Sequence, residues 1–177
     1  IPIATEGKDV IGIAQTGTGK TLAFGIPMIQ NVARSKGLAL VLAPTRELAL
    51  QIDEELQKVG KNINLRTAVL IGGASMRPQM DAIRRKPHVI VATPGRLLDH
   101  MEQKTVSLNT VNVLVLDEAD RMLDMGFMPQ IKRILEAVPH DRQTMLFSAT
   151  LSPEIVQIAA RHMKTPVRIE VAPPGTT

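Results

Sequence analysis

What most limits the folds open to this chain is a set of seven short runs, most of them apolar throughout: Val10–Ala14, Leu38–Leu42, Thr67–Ile71, His88–Ala92, Val113–Leu116, Thr144–Phe147 and Val167–Val171. A strand with one wet face alternates apolar and polar residues, whereas a strand covered by helices on both faces can be apolar along its whole length. Helical patterns separate the runs. Over 46–59, Leu48, Ile52, Leu56 and Val59 fall on one helical face and Gly60 supplies a stop. Over 127–138, Ile131, Ile134, Leu135 and Val138 do the same, with Pro129 near the start. Ser152, Pro153 and Glu154 read as the cap, first turn and dipole-matched acid of a helix carrying Ile155, Val156 and Ala159. Strand and helix in alternation predict an α/β fold: a doubly wound, mostly parallel seven-stranded sheet with helices on both faces and right-handed crossovers. One stretch conflicts with this, because Gly25 and Pro27 should kink or split the helix after Lys20.

A length of 177 residues suits one core, placed at 1–171, and the tail 172–177 with Pro173, Pro174 and Gly175 reads as the start of a linker. The absence of cysteine excludes disulfides, thiolate zinc sites and cysteine nucleophiles. His88, His100, His140 and His162 are dispersed and are expected to be surface or structural residues rather than a metal site. No apolar stretch approaches the roughly 20 residues that cross a bilayer. The opening segment lacks the basic and apolar regions of a signal peptide, so a cytoplasmic location with no membrane contact is the expectation. A net charge of +4 tilts toward an anionic partner without deciding the matter.

The segment Ala14-Gln15-Thr16-Gly17-Thr18-Gly19-Lys20-Thr21 follows the first strand and enters a helix. Such a loop can turn successive backbone N–H groups around phosphate oxygens, with the positive end of the helix dipole behind them. Lys20 would then reach the β- and γ-phosphates and the Thr21 hydroxyl would bind magnesium. The general pattern begins with glycine, and here Ala14 stands in its place; a glycine-rich turn before an ordinary helix is the plainer alternative. Magnesium also needs a carboxylate, and the run Val113–Leu116 leads directly into Asp117-Glu118-Ala119-Asp120. Ligands of open α/β sheets bind beyond the carboxyl ends of the strands, where Lys20 and Asp117 both lie. Asp117 would hold the metal and Glu118 would orient and deprotonate an attacking water. An acidic turn with no chemistry is the alternative.

With these two elements in place the chain resembles the DEAD-box RNA helicases, whose name Asp117 to Asp120 spells in one-letter code and whose form of the phosphate loop begins with alanine. Further motifs follow in the family's order: Pro44-Thr45-Arg46-Glu47-Leu48-Ala49, Gly72-Gly73, Thr93-Pro94-Gly95-Arg96 and Ser148-Ala149-Thr150. The resemblance implies a RecA-like domain that uses ATP and Mg2+, with Pro44, Thr45, Arg46, Gly73, Thr93, Gly95 and Arg96 along an RNA backbone read without regard to sequence. It also implies that Ser148 and Thr150 hydrogen-bond Asp120 and couple hydrolysis to strand separation. Taken singly, Thr45 could be a helix cap, Thr93-Pro94 a turn, Arg96 a solvated charge, and Ser148 and Thr150 a turn that caps the next helix.

Without Trp or Tyr, and with only Phe24, Phe127 and Phe147, the chain lacks the material for a base-stacking platform. The family's adenine-reading glutamine lies upstream of Ile1, and the arginines that stabilise the transferring phosphate belong to a second domain. The expectation is therefore an RNA-dependent ATPase half, monomeric as a domain and nearly inactive alone. An ATP-gated RNA clamp and a DNA translocase are the rival readings. A small GTPase is excluded because no Asn-Lys-x-Asp stretch occurs.

Overall fold

The computed structural model describes residues 4, 6–14 and 20–170, leaving aside the side chain of Lys20. The strands are β1 (Val10–Ile13), β2 (Leu38–Leu42), β3 (Thr67–Leu70), β4 (Val89–Ala92), β5 (Val111–Leu116), β6 (Gln143–Ser148) and β7 (Val167–Glu170). The helices are α1 (Lys20–Ser35), α2 (Arg46–Val59), α3 (Met76–Arg84), α4 (Pro94–Glu102), α5 (Ala119–Asp124), α6 (Met128–Ala137) and α7 (Pro153–His162). The strands form one sheet in the order β3-β4-β2-β5-β6-β1-β7, and every pairing in it is parallel.

Two apolar layers explain why the runs are continuous. Leu40, Leu42, Ile90, Leu114 and Leu116 point to one face, where Leu97 and Leu98 of α4, Met122 of α5, Ile131 and Ile134 of α6 and Ile155 of α7 cover them. Ala39, Val41, Val89, Val91, Val113 and Val115 point to the other, against Phe24 and Met28 of α1 and Ile52 and Leu56 of α2. Each residue of a central strand thus meets a helix whichever way it points. The edge strand β7 alternates half-buried and exposed residues, as a strand with a neighbour on one side can afford to do.

Two sequence expectations shift. β5 begins two residues early, at Val111, because the Leu38 N–H bonds the Thr110 carbonyl across a register irregularity between Leu38 and Ala39. More substantially, α1 runs unbroken from Lys20 to Ser35 with Gly25 and Pro27 inside it. Proline removes one intrahelical hydrogen bond, but Phe24, Met28 and Val32 bury one face of α1 against the sheet, and that packing outweighs local propensity. Gly25 has its own reason: a Cβ there would lie 3.0 Å from Cδ2 of Leu56, so glycine lets α1 approach α2 closely.

Candidate functional site

Parallel strands place all seven carboxyl ends on one rim, and the sequence motifs gather there. Ala14 is buried just past β1, and its N–H donates to the Ser148 carbonyl at 3.0 Å, tying the start of the predicted phosphate loop to the end of β6. Gln15, Thr16, Gly17, Thr18, Gly19 and the Lys20 side chain lie outside the described residues. α1 starts at Lys20 with its positive dipole end at this rim, and Thr21 is half-buried in its first turn.

The acidic turn follows β5. Asp117 continues the pairing with β2 for one residue, its N–H donating to the Leu42 carbonyl at 2.9 Å, and its side chain is wholly buried. Glu118 caps α5 in the left-handed conformation, φ 52° and ψ 52°. A residue with a Cβ adopts it at a cost of about 1 kcal/mol or more, and such strain clusters at functional turns. Here it buries a carboxylate at a strand end, with Oε1 of Glu118 3.4 Å from Arg121 Nη1. Only β6 separates β5 from β1 in the sheet, so acidic turn and phosphate loop start two strands apart, roughly 10 Å at the usual strand spacing.

Between them, Ser148 ends β6, and its hydroxyl donates to the Thr150 carbonyl at 2.7 Å, closing the turn on itself. Asp120 is half-buried in the first turn of α5, and among the described residues no hydrogen bond joins it to Ser148 or Thr150. Ser148 and Thr150 form a turn but do not cap the next helix, since Ser152 does so by accepting the Ile155 N–H at 3.4 Å, and the contact with Asp120 is not formed in this structure.

The third group occupies the same rim beyond β2, β3 and β4. Pro44 is buried, Thr45 caps α2 by accepting the Leu48 N–H at 3.2 Å, and Arg46 is exposed in the first turn. Gly73 has φ +77°, and a Cβ there would lie 2.7 Å from Nη1 of Arg46, so the guanidinium of α2 rests against the turn after β3. Thr93 caps α4 in extended conformation without a side-chain hydrogen bond, and Gly95 sits in the first turn of that helix. Arg96 is no solvated charge: its side chain is 14% exposed, its Nη1 donates to the Ala74 carbonyl at 2.7 Å, and its Nε lies 3.6 Å from Asp99. Thr45, Arg46, Gly73, Thr93, Gly95 and Arg96 thus stand on three neighbouring loops.

Two residues that sequence reasoning left aside join this group. Gln79 of α3 is buried and reaches both Ile71 and Arg96 with its side chain. His100, read only as surface or structural, is fully buried against Gln79, and burial followed by the charge of Arg96 lowers its pKa, leaving the ring neutral at pH 7. A faint signal existed for Gln79, which falls at helical spacing on the stripe of Met76, Ala82 and Ile83 where an apolar residue is expected. The three phenylalanines stay out of the site, with Phe24 and Phe147 packed together at 5.5 Å in the core on one face of the sheet and Phe127 packed against the core on the other.

Comparison with known proteins identifies the family and the fold. The chain is 50% identical over 173 residues to the ATP-dependent RNA helicase CshA of Limosilactobacillus reuteri, covering 97% of this chain and 35% of that protein. It is likewise 50% identical over 175 residues to the ATP-dependent rRNA helicase RRP3 of Yarrowia lipolytica, covering 97% and 36%. It therefore spans little more than a third of the length of the curated relatives it matches. Its fold superposes on the crystal structure of a DEAD box protein from the hyperthermophile Methanococcus jannaschii with a TM-score of 0.89 at 38% identity, over 96% of this chain and 47% of that one. The yeast DEAD-box splicing factor Prp28 gives 0.88 at 38%, over 96% and 43%. The sequence model of the DEAD/DEAH box helicases matches residues 1–158, and with the acidic turn and the start of the predicted phosphate loop two strands apart on one rim, the chain belongs to that family.

Proposed function

We propose that this chain is the ATP- and RNA-binding half of an ATP-dependent RNA helicase that hydrolyses ATP to ADP and phosphate to remodel or unwind RNA duplexes, working with a second RecA-like domain. The observation that carries the reading is the shared rim: one edge of one sheet holds the start of the phosphate loop, two buried carboxylates at a strained turn and two arginines on neighbouring loops. The relatives' greater length supports a second domain in the parent protein.

In this reading the loop from Ala14 to Lys20 cradles the phosphates, and Thr21 and Asp117 hold the magnesium ion. The donor set fits that ion: a hydroxyl and a buried carboxylate leave positions for water and phosphate, as magnesium prefers, and among the described residues no group of three or more His, Asp or Glu forms a protein cage. The ion, when bound, offsets charge that develops on the phosphate oxygens. Glu118 acts as general base, holding the attacking water and accepting its proton at a carboxylate oxygen; its left-handed backbone fixes where that oxygen lies. Arg46, Arg96, Thr45, Thr93 and the backbone at Pro44, Gly73 and Gly95 follow the RNA sugar–phosphate chain. The burial of Phe24 and Phe147 supports recognition without base stacking, and hence without sequence preference. Asp120 belongs to the acidic turn, and Ser148 and Thr150 follow β6, the strand between that turn and the phosphate loop, where a change at the phosphates can be passed on.

The test is ATP turnover by the full-length protein with RNA and with DNA of the same sequence. Stimulation by RNA alone, abolished in Glu118→Gln while ATP and RNA still bind, is the expected result. Equal stimulation by DNA would assign the chain to the translocases, and unchanged turnover in Glu118→Gln would remove Glu118 from the role of base.

A further inference from the structure

We infer that Gln79 is a positioning residue for RNA binding: its side-chain amide holds the Arg96 guanidinium at the rim, ready for a phosphate. The inference rests on the proposed RNA-binding role of Arg96 and adds a residue that no motif of the family resemblance includes.

Three contacts define the amide. Nε2 of Gln79 donates to the Ile71 carbonyl at 2.9 Å, which turns Oε1 to the other side. There Oε1 accepts from Arg96 Nη1 at 3.3 Å and from His100 Nε2 at 2.8 Å. Exchanging amide oxygen and nitrogen would set an NH2 group against the Arg96 cation and two lone pairs against the Ile71 carbonyl, so only one orientation serves. With Oε1 as acceptor, His100 must carry its proton on Nε2, and the neutral ring's Nδ1 then faces the Thr105 hydroxyl 2.8 Å away, whose one proton is shared between that nitrogen and the His100 carbonyl at 3.1 Å. Gln79 and His100 are 6% and 0% exposed, so water does not replace these bonds at low cost.

The linkage spans two rim segments. Ile71 immediately precedes the Gly72-Gly73 turn that receives Arg46, and Arg96 opens α4 and also bonds Ala74 within that turn. One buried side chain therefore sets the turn after β3 and the arginine of α4 relative to each other. An arginine has many rotamers to lose when it docks on a phosphate, and anchoring one of its nitrogens beforehand removes part of that loss from binding. Packing alone does not need the amide, because an apolar side chain fits the stripe of Met76, Ala82 and Ile83.

The experiment is a double-mutant cycle in the full-length protein, reading RNA affinity, the RNA concentration for half-maximal ATPase, maximal turnover and the thermal midpoint. Gln79→Leu is expected to weaken RNA binding about five- to tenfold, as the cost of ordering one long side chain on binding does, with maximal turnover and ATP affinity unchanged. Gln79→Ala, whose smaller side chain admits water at the Ile71 carbonyl and His100, serves where the leucine variant does not fold. In an Arg96→Ala background either change should have no further effect on RNA affinity. An equal loss in both backgrounds, no loss in the folded single variant, or unfolding of both variants would overturn the inference. Should Arg96→Ala itself leave RNA affinity unchanged, the RNA-binding reading fails instead, which is a separate outcome.

Discussion

The two rims of the sheet use polar residues in opposite ways. At the amino rim they are turned inward onto the main chain. Asp9 is 5% exposed and accepts the N–H groups of Thr144 at 2.8 Å and Lys164 at 2.6 Å. Gln143 donates to the carbonyls of Ala4 and Lys8, and Arg142 to those of Pro139 and His162. A cavity of about 570 Å³ opens here, edged by Lys36, Arg66, Lys86 and His88, yet its two lysines follow the last residues of α1 and α3, where a cation answers the helix dipole. At the carboxyl rim the backbone is strained at Glu118, turned to positive φ at Gly73, and Arg46 is exposed. Left-handed non-glycine residues occur at the amino rim too, at Lys36, Asn64, Lys86, Lys104 and Thr165, but those five are exposed, whereas Glu118 takes that conformation with its side chain buried. The lesson is that neither a buried charge nor a left-handed backbone marks function by itself, since Asp9 and Asp117 are both hidden; what sets the carboxyl rim apart is that the two features coincide there, at Glu118.

The sharpest way to break this comparison is to exchange the expected consequences. Glu118→Gln keeps size and hydrogen bonding and should lower RNA-stimulated turnover by about 10²- to 10⁴-fold with little change in the unfolding midpoint. Asp9→Ala should do the reverse. It strips two N–H groups, one buried and one partly buried, of a charged acceptor, each such bond contributing roughly 1.5–3 kcal/mol, so urea unfolding should show a loss of about 3–6 kcal/mol with turnover per folded molecule unchanged. A catalytic defect in folded Asp9→Ala, or a destabilised Glu118→Gln, would end the division of labour between the rims.

A smaller effect sharpens it. A Cβ at Gly95 would meet no protein atom within 4 Å, so neither packing nor a positive φ requires glycine in this first turn of α4. Gly95→Ala should leave stability unchanged or raise it by up to about 1 kcal/mol, while RNA affinity falls several-fold because the methyl group stands where the phosphate chain would approach the helix N-terminus. A variant that is more stable and binds RNA equally well would remove Gly95 from the interface.

How much of this was legible follows from what a sequence can encode. Continuous apolar runs marked the central strands because burial on both faces leaves few polar positions to confuse the pattern, whereas β3 and β7 at the edges are buried on alternate residues at most; Thr45 and Ser152 announced the starts of α2 and α7 because a cap is a local hydrogen bond three residues long. The early start of β5 was hidden by Asn112, whose side chain amide reaches the Ser35 hydroxyl of α1, a partner distant in sequence. The continuity of α1 through Pro27 was illegible for the same reason: the energy that overrides the proline comes from the sheet beneath it. At the site, residue types gave the acids and arginines, but not the left-handed backbone of Glu118, and nothing in the spacing of Gln79 and Arg96 said that they touch.

The smallest expected effect concerns acid. Burial lowers the pKa values of His88, His100 and His162 from the ordinary 6.5; nearby positive charge adds to this, from Arg66, Arg96 and Arg142 respectively, although Asp99 and Glu136 oppose it at His100 and His162. A group whose folded pKa lies below its unfolded one binds fewer protons when folded, so its contribution to stability is present above 6.5 and is lost as pH falls below that value. The thermal midpoint should therefore decline gently between pH 7 and pH 5, at roughly 2–4 °C for each kcal/mol lost. Geometry says which rim gives way. Nδ1 of His88 accepts the Arg66 N–H at 2.9 Å, and a proton on that nitrogen abolishes the bond, whereas His100 already donates from Nε2, and its Nδ1, once protonated, can donate to Thr105 in turn. Replacing His88 by Asn, which offers an acceptor but no titration, should flatten the pH dependence more than replacing His100 does. The opposite ranking would place the acid-sensitive joint at the carboxyl rim, beside Arg96.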